Sequence, residues 1–185
     1  MKRILLAALT LLLLTGCSPN AREPDNLALV RVLGVDGASP VALTAVCGGA
    51  NQQDPTRGSC RGESFMLARD RLPWTATEEL ALTSVSYLLV GRDADLTAVL
   101  FAVLEDQELG ASATVWLAED GAGDTLADCR DPAADLELLV RQGLKAPTVA
   151  QTLGALMTDG QVVLPAVDQA EGRLIFKGEG LWNEQ

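Results

Sequence analysis

The chain has 185 residues, with 14 Lys+Arg, 25 Asp+Glu and no histidine, for a formal net charge of −11; 48% of its residues are hydrophobic and 4% aromatic. That length fits one domain with at most an appendage, and it can bury a core without staples. The missing histidine excludes Ser-His-Asp triads, Cys-His dyads and His-ligated zinc, the acidic balance argues against a nucleic-acid partner, and the apolar content is too high for a disordered chain.

Met1-Lys2-Arg3 is a short basic start, and residues 4–14 form an uncharged, apolar run. The run is too short to span a bilayer but right for the apolar region of a signal peptide. It ends in Leu14-Thr15-Gly16-Cys17, the bacterial lipobox pattern. Cys17 is therefore the expected lipid attachment residue, its thiol taking a diacylglyceryl group. Each buried lipid CH₂ contributes about 0.8 kcal/mol, and two or more chains give stable anchoring. The expected organisation is a lipoprotein signal peptide over 1–16, a lipidated tether over 17–26 and one folded domain over 27–185. Removing Lys2 and Arg3 with the signal peptide takes the formal charge from −11 to −13. No later segment is long and apolar enough to cross a membrane, so the domain is expected on the extracytoplasmic face, held by lipid.

The first strand is expected over residues 27–35 (LALVRVLGV), turning at Asp36-Gly37 into a hairpin partner over 41–46. Residues 48–62 read as a loop. Cys47 and Cys60 bracket its glycine-rich, polar stretch. An exported domain could close it with a disulfide worth roughly 3 kcal/mol, or keep Cys47, Cys60 and Cys129 as thiols. The spacing matches no metal knuckle, and no metal site or cofactor is expected.

Residues 63–72 place Phe65, Ala68 and Leu72 on one helical face, with Pro73 after them. Residues 84–90 read as a buried strand closed by Gly91. Asp93 is the expected cap of the next helix, where Leu96, Val99, Leu100, Val103 and Leu104 recur at the helix period. Residues 112–118 are another strand. Asp131-Pro132 reads as a cap with proline at the first helical position. Leu136, Leu139 and Val140 line that helix, and Gly143 ends it. Thr148 and Gln151 make a capping box for a helix carrying Val149, Leu153, Leu156 and Met157. Residues 162–167 and 173–177 form a closing hairpin around 169–172. The order ββ, α-β-α-β-α-α, ββ predicts an α+β single domain: a mixed sheet with helices packed on its faces.

Candidate chemistry is thin. The acidic run from Glu119 to Asp124 lacks the glycine and terminal glutamate of an EF-hand loop and reads as a solvated turn. Glu78-Glu79 and Glu105-Asp106 are acidic pairs, but adjacent helical residues do not face each other. Trp116 reads as core, while Trp74 and Trp182 sit near element ends and suit packing or a partner surface. Lys145 and Lys177 follow no serine at Ser-x-x-Lys spacing, and nucleophile elbows and phosphate-binding glycine motifs are missing. No catalytic residues are nominated, and a non-enzyme is expected.

Taken together, the lipobox, the tether and the segments NLALVRVLGVDG, GESFMLARDRL, SVSYLLVGRDADLTAVLFAVLEDQEL, SATVWLAEDGAGDTL and GRLIFKGEGLWNEQ resemble the N-terminal domain of the Ger(x)C (GerAC-type) spore germination lipoproteins. In that family a strand ending in Gly-x-Asp follows the lipidated cysteine, matched here by Gly34-Val35-Asp36. The resemblance implies a non-enzymatic subunit of a germinant receptor, anchored on the spore inner membrane beside integral receptor subunits, its small-molecule ligand unknown. A solute-binding lipoprotein is the alternative, and an enzyme using an acidic pair the more distant one.

Overall fold

The structure, a computed structural model, describes residues 27–48, 56–74, 76 and 79–183. The signal peptide, Cys17 and the tether lie outside the described residues, as do Glu78 and the side chain of Trp74. Eight strands form one mixed sheet: β1 (Leu27–Asp36), β2 (Val41–Cys47), β3 (Arg57–Gly62), β4 (Glu79–Ala81), β5 (Tyr87–Gly91), β6 (Thr114–Ala118), β7 (Gln161–Ala170) and β8 (Arg173–Asn183). Their order is β3-β2-β1-β5-β6-β7-β8, with the short β4 beside the start of β1. The centre, β1-β5-β6-β7, is parallel, while β2, β3 and β8 add antiparallel margins.

Five helices cover the faces: α1 (Phe65–Arg71), α2 (Leu96–Glu105), α3 (Ala122–Ala127), α4 (Pro132–Arg141) and α5 (Val149–Asp159). Helices α1, α2 and α5 share one core with Val30, Leu33, Leu88 and Leu117 of the strands. Helices α3 and α4 share the other with Val32, Leu89 and Trp116. Both faces being covered explains why the central strands read as continuous apolar runs rather than as alternation. The expected α+β sheet with helices on its faces is what forms.

Two irregularities shape the sheet. The β1–β2 register passes from Val30↔Cys47 to Val32↔Val46, so Arg31 is an extra residue on β1. This bulge resets which face each side chain meets, sending Val30 and Leu33 to one core and Val32 to the other. At the far margin β7 joins β6 only through Leu117↔Ala166 and Ala118↔Val167, but pairs with β8 along its whole length. The two residues of that hairpin's turn, Glu171 and Gly172, both have positive φ, the geometry of a tight primed turn. The ribbon's open end sends Val162 and Leu164 into the first core, and its turn end sends Val167 and Leu174 into the second.

Several expectations change. Residues 57–62 of the expected 48–62 loop are β3, an edge strand on β2, and 49–55 lie outside the described residues. The short β4 and α3 were not anticipated. Leu104, Val140 and Met157 are exposed rather than on the buried faces of their helices. Asp95, not Asp93, caps α2: its carboxylate accepts from Ala98 N at 2.9 Å. The Asp131 cap with Pro132 and the Thr148–Gln151 capping box form as expected. Asp95→Ala is therefore expected to cost about 1 kcal/mol in urea unfolding, and Asp93→Ala a few tenths of that. Equal losses would return the cap to Asp93.

Candidate functional site at the carboxyl ends of the parallel strands

Open α/β sheets bind ligands beyond the carboxyl ends of their parallel strands. Here those ends are Asp36 of β1, Gly91 of β5 and the Glu119–Gly121 turn after β6. A cleft of about 980 Å³ opens over them, lined by Asp36, Thr44, Arg57, Arg92, Asp93 and Glu119 among others.

Asp36 crosses from β1 to the start of α3. Its Oδ1 accepts from Ala122 N at 2.6 Å and its Oδ2 from Gly123 N at 2.7 Å. Three glycines make room for it. A Cβ on Gly91 would sit 2.0 Å from Asp36 Oδ1, and one on Gly123 would sit 3.2 Å from Oδ2. Gly121, at φ +98°, turns the chain into the helix. Gly34 lets α3 lie close on β1, since a Cβ there would meet Leu126 Cδ1 at 2.8 Å. Arg57 of β3 holds the other end of the same helix: its guanidinium donates to the carbonyls of Leu126 and Cys129. A six-residue helix thus has a carboxylate at its amino end and a guanidinium at its carboxyl end, each matched to the helix dipole.

Arg92 and Glu119 join the ends of β5 and β6. Nε and Nη2 of Arg92 donate to the two Glu119 oxygens at 2.9 and 2.8 Å, and Nη1 donates to Leu181 O at 2.8 Å, reaching the terminal ribbon. The bond from Arg92 holds the Glu119 carboxyl below its ordinary range, and the same bond raises Arg92. A carboxyl lowered in the folded state stabilises it above the unfolded value, and that contribution is lost as pH falls through the lowered one. The urea midpoint of the parent is expected to drop more than that of Arg92→Met as pH goes from about 7 to about 3. Parallel curves would remove the pair from the acid response.

The remaining acids are dispersed. Asp135 on α4 is buried and accepts from Arg173 Nε, Arg173 Nη2 and Leu174 N at 3.0, 2.9 and 2.8 Å. Glu105 and Asp106 do not face each other, as their adjacency predicts; Glu105 is exposed as expected of both, but Asp106 is buried. Glu119 and Asp120 form a turn before α3. Lys177 pairs with Asp168 at 2.9 Å, and Lys145 is exposed. Trp116 is fully buried, its Nε1 donating to Thr114 Oγ1 at 3.0 Å; Trp182 packs half-buried against the first core.

The disulfide considered between Cys47 and Cys60 is corrected by the strand register. Cys60 lies opposite Leu43, four positions along β2 from Cys47. At about 3.4 Å per residue that is roughly 13 Å, against the ~7 Å that a bridge allows between Cα atoms. Cys60 Sγ instead donates to Ala68 O at 2.9 Å, and Cys129 Sγ to Thr125 O at 3.1 Å. Burial raises the Cys60 thiol, and burial reinforced by Asp135 pushes Cys129 up to about 11. Both are held as thiols, the unreactive form. Among the described residues no group of three or more Cys, Asp or Glu is placed to hold a metal ion.

Sequence reasoning found Asp36 only as a turn residue and missed Arg57 and Arg92. The bonds that define them span 86, 69 and 27 residues, and nothing local announces them. The one available signal is the coincidence of glycines at 34, 91, 121 and 123 near strand ends.

Among the described residues no helix is long and apolar enough to cross a membrane. No curated protein and no solved structure matches the chain. Residues 1–18, which include Cys17, match the prokaryotic membrane lipoprotein lipid attachment site, and the protein is a membrane-anchored lipoprotein.

Proposed function

We propose that the protein is a non-enzymatic, lipid-anchored assembly module that serves a spore germinant receptor, in the manner of the Ger(x)C subunits its sequence resembles. The observation that carries this reading is the Asp36 bond. Two of the segments behind the resemblance, the strand ending Gly34-Val35-Asp36 and the stretch SATVWLAEDGAGDTL, lie far apart in sequence. They meet through Asp36 and the amides of Ala122 and Gly123. The resembling residues therefore belong to one folded unit. A non-catalytic role is supported by the occupation of the charged groups at the strand ends. Asp36, Arg57, Arg92 and Glu119 are all engaged in bonds that hold the fold.

The test is co-purification from gently solubilised spore inner membranes of the native host. Recovery of polytopic receptor subunits with the parent, and their loss with Cys17→Ala, is the expected result. A protein missing from spores, or recovered alone from vegetative membranes, overturns the reading. A solute-binding lipoprotein is the second reading, favoured by the size of the strand-end cleft, which lies at the upper end of the range for small-molecule sites. A ligand that raises the melting temperature of the parent but not of a cleft variant such as Asp93→Ala would support it.

A further inference from the structure

We propose that the outer face of the α1–α2–α5 layer rests on the lipid bilayer that holds the anchor. Helix α2 has the sequence LTAVLFAVLE. Leu96, Val99, Leu100 and Val103 fill the core, yet Ala98, Phe101 and Leu104 are exposed on its outer side, where Glu105 is the one charged residue. A helix covered on one side only normally turns a polar face outward. On this one Phe101 is 44% exposed. It packs between α1 and α5, which add exposed Met66, Leu67 and Met157, the last at 65%. Single exposed apolar groups are ordinary. Five large ones on one three-helix layer make a patch of the kind that marks an interaction site.

Charge and tether point to lipid as the occupant. The three helices carry Arg69, Asp70, Arg71, Glu105 and Asp159, a net of −1 in a chain of −11. Residues 96–104 and 149–158 carry no charge at all. The strand-end cleft is far more densely charged, with Asp36, Asp93, Glu119, Asp120 and Asp124 against Arg57, Arg61 and Arg92, a net of −2, so taking it out of water against a bilayer costs more than it does for this layer. The anchor also limits the approach. Residues 18–26 extend at most roughly 30 Å, so the domain stays at high effective concentration over the surface. Helix α2 returns from the end of β5 to the start of β6. Its Phe101–Leu104 half therefore lies toward the end of the sheet where β1 begins and the tether enters. An apolar helix face lying in the headgroup region is an established mode of peripheral contact.

The test uses the full lipidated chain in vesicles of phosphatidylethanolamine and phosphatidylglycerol, with or without bromine on the acyl chains. Tryptophan is introduced as Phe101→Trp, as Leu104→Trp in case the first variant melts early, and as Leu138→Trp on the outer side of α4. The emission added at 101 or 104 is expected to shift to the blue and to lose most of its intensity in brominated vesicles, while that added at 138 is unchanged. Equal emission at 101 and 104 in both kinds of vesicle overturns the proposal, as does quenching at 138 as strong as at 101. A blue shift without quenching also overturns it and assigns the face to a second copy of the chain. The inference rests on the lipid anchor alone, so its failure and a failed co-purification are separate results.

Discussion

Asp36→Ala is expected to lower the free energy of unfolding by about 3 kcal/mol. The carboxylate accepts two short bonds from backbone amides, and a hydrogen bond to a charged group contributes about 1.5–3 kcal/mol. The pair falls short of a full sum because Asp36 is half-buried and water can reach the vacated amides. Much of the loss reflects α3 itself. Six residues do not hold a helix in water, yet Ala122 and Leu126 are fully buried in the second core. Without Asp36 the helix loses its fixed end and that core loses its lid. Gly91→Ala should reach the same outcome by displacing the carboxylate, since the new Cβ would overlap Asp36 Oδ1. Urea unfolding with an unchanged slope is the measurement. A loss below about 1 kcal/mol in both variants would mean that the carboxylate is not structural. It would return Asp36 to the pool of groups available for acid–base chemistry.

Arg69→Met is expected to cost about 3–5 kcal/mol, the range for removing one partner of a buried ion pair. Asp106 follows α2, and its side chain is 2% exposed. Arg69 Nε approaches Asp106 Oδ2 to 2.8 Å, though its N–H is not aimed along that contact, so the two attract as charges rather than through a hydrogen bond. Arg69 Nη2 also reaches Glu108 Oε2 at 2.9 Å, and Glu108 N donates to Asp106 Oδ1 at 2.7 Å. Losing the guanidinium strands a buried carboxylate with one amide for company. The double variant Arg69→Met/Asp106→Leu should recover most of the loss, because the uncompensated charge goes with its partner. A double-mutant cycle that shows no coupling would rule this account out.

The elements that could be read from the sequence are those whose signals are local. The apolar runs of β1, β5 and β6, the Asp131-Pro132 start of α4 and the capping box of α5 each lie within a few residues of what they specify. The segments that escaped are held from elsewhere. RGSCRG has no apolar alternation because β3 is bound to the sheet through main-chain pairing with β2, and only Gly58 and Gly62 in it are buried. AGDTLA shows no helix signal because the groups at its two ends come from Asp36 and Arg57. Periodicity placed Leu104, Val140 and Met157 at the margin of their buried faces, and it cannot say where a margin ends. The cap moved from Asp93 to Asp95 because both acids precede the same apolar run. The site suffered most: each bond that occupies a charged group at the strand ends joins segments that only the folded sheet brings together.

The terminal ribbon has a consequence for how the domain comes apart. Val162 and Leu164 belong to one core and Val167 and Leu174 to the other, so a single pair of strands is mortised into both sides of the sheet. Neither side can loosen while that joint holds, and once it slips both lose side chains together. Denaturation should then be all-or-none. Trp116, inside one core, and the helical signal, drawn largely from the other, would report the same midpoint.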